Sequence, residues 1–372
     1  MTYPKILNFF LILMMLFICL NLTREHWQNF FNYELEKENF YTKFSKNLDR
    51  EILRINESEL LNRDFKKQEI PLEQREKSRW VFLKLLVKPM ELIQNFSKNQ
   101  NKLPAEKISL YLYSFYIGIF FFINFIIIHR ILLLFDNDTK KFQSTDITFQ
   151  KQKSIIFVFF AYLLLIMYIN LGHFRGGEDN FSITESLLLT AGIFFIIQFD
   201  LYKNRTYFFL YIILSMLAPL VRESGIFLSG FYLVYYYFKY NKINFKLIAI
   251  PFIAIIPYVI ANYDIFKFFL EDGFILSTET IDSQTTWHDL GNNFLGTVHA
   301  LFYNFVIFFI PIIIFFRIKN QLQMLFLFFI LLYFFLLSFA SVLDHVSTRF
   351  MPGCLIIIYS YIGIRNINFK NS

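Results

Sequence analysis

Two carboxylates, Glu178 and Asp179, stand side by side directly after a glycine pair in HFRGGEDNFSITES, residues 173–186. Gly176–Gly177 permits a tight turn with positive φ, which delivers both acids to the mouth of the apolar stretch that follows. Adjacent carboxylates suit a divalent cation such as Mg or Mn through oxygen ligands, or general acid/base work. A metal is admitted by the pair and not required, and an ordinary solvated turn carries the same residues. Further chemistry stands at Arg222–Glu223 in LVRESG and at Asp344, His345 and Arg349 in LDHVSTRFMP. Arginine offers a planar fork to phosphate or carboxylate, so Arg222 is a candidate anion site. The bland alternative at Arg222–Glu223 is an ion pair that only holds the turn together. His173, His288 and His345 have no His/Cys spacing of a metal site.

The elements that must position these groups are apolar throughout. Of 372 residues 56% are hydrophobic and 52 are Phe, more than a soluble domain needs, and uninterrupted apolar runs recur along the chain. Spans are expected near 5–22, 109–129, 154–171, 183–200, 206–221, 225–240, 247–268, 298–316, 322–342 and 350–364. The fold class expected is all-α, a polytopic transmembrane bundle of about ten spans. The first run, Ile6–Leu22, has no small-x-small cleavage site after it and reads as a retained helix. Cys19 and Cys354 lie inside apolar runs and imply neither a disulfide frame nor a thiolate metal site.

Orientation follows from Lys and Arg. With the N-terminus inside, the inner flanks hold Lys5, Arg130, Lys140, Lys141, Lys151, Lys153, Lys203, Arg205, Lys239, Lys242, Lys246, Arg317, Lys319, Arg365 and Lys370. Only Asp136, Asp138, Asp146 and Asp200 oppose them there, while acids outnumber Arg175, Arg222 and Arg349 in the short outer loops. Both termini are therefore expected in the cytoplasm, with the chain a multi-pass protein of a bacterial inner membrane. The net charge of +7 is spread along membrane edges, which argues against nucleic acid as a partner.

One connection is long. Residues 23–107 carry 17 Lys/Arg against 14 Asp/Glu, with apolar residues at helical spacing from Tyr41 to Ile55. Trp80–Ile93, too short to span, suits a helix lying in the interface plane. The chain thus divides into a first transmembrane helix (1–22), an external loop with amphipathic interface helices (23–107) and a multi-span bundle (108–372). Basic flanks at Lys203/Arg205 and Lys239/Lys242 require a hairpin turning at Arg222–Glu223. Its arms have about sixteen residues each, roughly 24 Å, so the tip should stop short of the outer surface.

This layout resembles the GT-C superfamily of polytopic membrane glycosyltransferases, which take a sugar from a polyprenyl-phosphate carrier. The resemblance lies in the large loop after the first span and in the acidic RGGEDN of the second external loop. LVRESG is similar to the RE-x-G after a later short span of that family, and TRFMPG to its late R-x-x-P segment. In layout the likeness covers roughly residues 1–240. The family's Asp soon after the first span is replaced here by Glu25 in TREHW, with Glu34, Glu36 and Glu38 competing for its role.

The resemblance implies a glycosyltransferase acting on an outer-face acceptor, whether glycan, lipid or protein, with a lipid-linked sugar as donor and membrane lipids around it. An outer carboxylate, Glu25 or one of Glu178 and Asp179, would take the acceptor proton. Arg222 and Arg349, with His345 beside them in the late segment, would hold the departing phosphate. Three other classes stay open: a membrane transporter, suggested by short Pro/Gly-interrupted spans such as SMLAPLVRESGIF, a lipid-linked polysaccharide polymerase or ligase, and a structural or assembly membrane protein.

Overall fold

The computed structural model describes residues 3–34, 105–138, 147–171, 179–221, 223–261, 263, 321–340 and 350–370. Side chains are described for 6–21, 115–135, 153–167, 183–221, 224–261, 263, 321–332 and 351–364. Every element among the described residues is helical: α1 Tyr3–Glu34, α2 Ala105–Asp138, α3 Ile147–Leu171, α4 Asp179–Tyr202 and α5 Arg205–Leu217. Then come α6 Phe227–Tyr240, α7 Ala249–Ala261, α8 Gln321–Ala340 and α9 Phe350–Lys370. Short 3-10 turns occupy Ala218–Leu220, Glu223–Ile226 and Phe245–Ile248. The expected apolar runs fall on these helices and their flanking 3-10 turns as far as they are described; 298–316 lies wholly outside the described residues, as do 262, 264–268 and 341–342.

Two stretches, Phe115–Phe135 of α2 and Ile183–Tyr202 of α4, are long and apolar enough to cross a membrane. Shorter apolar stretches cover Ile6–Asn21, Lys153–Met167, Arg205–Leu220, Phe245–Ala261, Gln321–Leu332 and Met351–Ile364. The exposed faces are apolar as well, with Phe9, Phe17, Leu164, Phe252 and Ile260 each more than half exposed. α1 does not stop at Leu22 but continues to Glu34, because TREHWQNFFNYE contains no Gly or Pro to break it. Glu25 therefore belongs to the same helix as the first apolar run.

α2 and α4 form the centre. α2 packs against α1, α3, α4 and α9, and α4 packs against α2, α5, α6 and α9. Gly118 lets α1 approach closely: a Cβ there would stand 3.1 Å from the Cys19 carbonyl oxygen. Aromatic rings fill the seams, among them Phe125–Tyr162 at 5.6 Å, Phe199–Phe208 at 5.0 Å and Phe231–Phe329 at 4.9 Å between centroids. Such pairs contribute about 0.5–1.5 kcal/mol each beyond area burial.

α5 and α6 form the antiparallel hairpin expected from the charge pattern. The buried Tyr211 hydroxyl donates to the Leu228 carbonyl (2.6 Å) and accepts from the Tyr232 N–H (3.1 Å), while Phe208 meets Tyr232 edge-on. At the turn the two 3-10 segments cross with backbones nearly touching. A Cβ on Gly225 would lie 2.3 Å from the Ala218 carbonyl, so only glycine fits.

Candidate functional site

α4 enters the bundle at Asp179 and carries Thr184, Glu185, Ser186 and Thr190, all buried, within its first half. A run of polar groups inside an apolar helix requires partners. Ser186 and Thr190 share a helix face and meet Asn124, a fully buried polar residue of α2. The Thr190 hydroxyl donates to Asn124 Oδ1 (2.6 Å), and Asn124 Nδ2 donates to Ser186 Oγ (3.0 Å) and towards Cys354 Sγ (3.3 Å). Ser186 and Cys354 are themselves 3.3 Å apart. The network ties α2, α4 and α9 together in the half of the bundle where α4 begins.

Glu185 points elsewhere. It has no exposed surface, and its carboxylate accepts a hydrogen bond from the Ser224 hydroxyl. Ser224 lies in the 3-10 turn Glu223–Ile226, within LVRESG. The bond therefore joins α4 to the 3-10 turn that leads into α6. Along the helix, Glu185 lies six residues from Asp179, about 9 Å inward.

Directly inward of this contact is an apolar cleft lined by Leu189, Ile193, Phe227, Leu228, Phe231, Phe329, Met351 and Leu355. Leu189 is one helical turn beyond Glu185, Phe227 follows Ser224 by three residues, and Met351 follows Arg349 by two. Three sequence segments nominated for chemistry thus lead into helices that wall one cleft. The cleft is small and its lining is wholly apolar.

The opposite end of α4 carries a second buried carboxylate. Asp200, its side chain 1% exposed, accepts from Lys203 Nζ and Lys239 Nζ at 2.8 Å each. The Tyr240 hydroxyl (2.7 Å) and the Tyr235 hydroxyl (3.1 Å) complete its shell. Glu185 and Asp200 are fifteen residues apart, about 22 Å along α4. The fourteen-residue α6 spans nearly the same length, so it is pinned to α4 beyond its start through Ser224 and at its end through the Asp200 shell.

Among the sequence candidates, Glu25 sits in α1 and Asp179 opens α4, but their side chains lie outside the described residues. Glu178, Arg222, His345 and Arg349 also lie outside them. Glu185 and Ser224 were not among the candidates. The signal was present, since an acid within an expected span is costly and calls for a functional partner. Among the described residues no group of three or more His, Cys, Asp or Glu could hold a metal ion, and the Glu178/Asp179 pair is not part of that set. No family model, no curated protein and no solved structure matches this chain.

Proposed function

We propose that the chain is a multi-span membrane glycosyltransferase that takes a sugar from a polyprenyl-phosphate carrier at the α4/α6 mouth. The observation carrying this reading is the Glu185–Ser224 hydrogen bond. It ties the first half of α4, six residues in from Asp179, to the turn that follows Arg222 in sequence, and residues of both segments continue into the lining of an apolar cleft. In this reading Arg222 meets the phosphate head of the carrier and the apolar cleft meets its isoprenoid tail. The bilayer setting, with about ten spans and both termini cytoplasmic, is supported by the two spanning stretches, by apolar exposed faces and by basic residues gathered at one side.

In this mechanism the acceptor oxygen attacks the anomeric carbon as the bond from that carbon to the carrier phosphate breaks. The phosphate leaves with the electron pair, and the acceptor proton passes to Glu25, Glu178 or Asp179. Arg222 and Arg349, with His345 nearby in sequence, neutralise the departing phosphate. Glu185 acts at one remove, holding Ser224 and with it the turn that follows Arg222 in sequence. Mg or Mn at Glu178 and Asp179 would add positive charge at the same mouth, and no step above is routed through it.

The test is release of polyprenyl phosphate from a labelled polyprenyl-phosphate sugar by purified protein in proteoliposomes. Release that falls in Arg222→Lys with folding intact supports the reading. A second reading, transport, draws on the same hairpin, whose backbone breaks into 3-10 turns between two apolar helices. Carrier-independent uptake of a free sugar by those proteoliposomes, with no release of polyprenyl phosphate, would select transport instead.

A further inference from the structure

We propose that the end of the bundle formed by residues 202–205 and 240–248 binds the headgroup of an anionic phospholipid. Lys203, Arg205, Lys242 and Lys246 are exposed there, and Lys239 is half-buried. Asp200, the acid between them, is buried and already engaged by Lys203 and Lys239. The patch therefore faces outward with a surplus of cations.

Its shape is set by the backbone. Lys203 and Asn241 both adopt left-handed conformations (φ 54° and 50°) that close α4 and α6. The Asn204 side chain caps α5 through the Thr206 N–H (3.0 Å), and the Asn244 side chain accepts from the Lys246 N–H (3.2 Å). Four helix ends on this side of the bundle are thus held, and the cations on them gather with little ordering cost. Tyr202, Ile243 and Phe245, 60%, 58% and 76% exposed, stand among the cations. Cations interleaved with exposed apolar side chains match the headgroup–acyl boundary of a bilayer rather than a free anion or a polar partner.

This inference rests on the helices lying in a bilayer and is independent of glycosyl transfer. Purified protein in neutral detergent is titrated with dioleoyl phosphatidylglycerol, dioleoyl phosphatidylcholine or inorganic phosphate, reading melting temperature and lipid retained in native mass spectrometry. Phosphatidylglycerol should raise the melting temperature and remain bound, with retention falling as salt is added. The exposed double variant Lys242→Gln/Lys246→Gln should lose much of both effects, and Lys242→Arg/Lys246→Arg should keep them. Equal shifts with phosphatidylcholine or inorganic phosphate overturn the proposal. So does salt-independent retention in the wild type, which needs no variant to fold. Polyprenyl-phosphate release assayed in the same variants is expected to be unchanged, so failure here leaves the transferase reading to its own test.

Discussion

The Ser224 hydroxyl donates to the Glu185 carboxylate across 39 positions of sequence, and Glu185 has no exposed surface. A side-chain hydrogen bond of this kind contributes about 0.5–1.5 kcal/mol net. Ser224→Ala should therefore destabilise the protein by that order, and Glu185→Gln by less, since the amide oxygen still accepts. A double-mutant cycle over Glu185→Ala and Ser224→Ala should return a coupling above about 0.5 kcal/mol. Additivity in thermal or denaturant unfolding would mean the two residues act independently.

Gly225 and Gly230 offer a matched pair on the two sides of the α6 start. A Cβ on Gly225 meets the Ala218 backbone at 2.3 Å, whereas a Cβ on Gly230 has nothing within 4 Å. Gly225→Ala should cost about 1–3 kcal/mol by forcing the turns apart. Gly230→Ala should be neutral or stabilising by up to about 1 kcal/mol, through helix propensity. The comparison of melting temperatures decides it, and equal effects would contradict the crossing.

The Asp200 shell should be unequal in its two lysines. Lys203 is 64% exposed and Lys239 22%, at the same 2.8 Å. Lys203→Gln should cost no more than about 1 kcal/mol, as exposed ion pairs do, with some strain at its positive φ relieved in Lys203→Gly. Asp200→Asn removes the carboxylate shared by Lys203, Lys239, Tyr235 and Tyr240, and a larger loss than that of Lys203→Gln is expected. Equal losses in Lys203→Gln and Asp200→Asn would show that exposure does not grade this site.

How far the residues alone could carry these conclusions differs from place to place. Apolar runs became helices because a backbone surrounded by apolar side chains must satisfy its own hydrogen bonds. The hairpin at Arg222 followed from basic flanks on both sides, and its arms pack antiparallel as that required. Neither Glu185 nor Asn124 names its partner in the linear pattern, and only tertiary contact reveals that one meets Ser224 and the other Ser186, Thr190 and Cys354. Asp200, Lys203 and Lys239 read as flank charges that orient the chain. The alternation of spans implies that α4 and α6 run parallel, but local pattern carries no sign that these charges come within 2.8 Å of one another.

Orientation has its own check. Cys19 and Cys354 are buried, so cysteines introduced at positions 178 and 141 should report without background. A membrane-impermeant maleimide added from outside should label position 178 and miss position 141. Labelling at 141 alone would invert the bundle and place the α4/α6 mouth on the cytoplasmic side.

The central claim is that the α4/α6 mouth processes a polyprenyl-phosphate sugar, and it is tested most directly by single-turnover release of polyprenyl phosphate from purified protein. Wild type should release the carrier in the presence of acceptor. The double variant Glu178→Gln/Asp179→Asn should keep its melting temperature and lose transfer, and Arg222→Lys should weaken carrier binding more than Glu223→Gln does. Full release by the Glu178/Asp179 double variant together with undiminished carrier binding by Arg222→Lys would contradict the account.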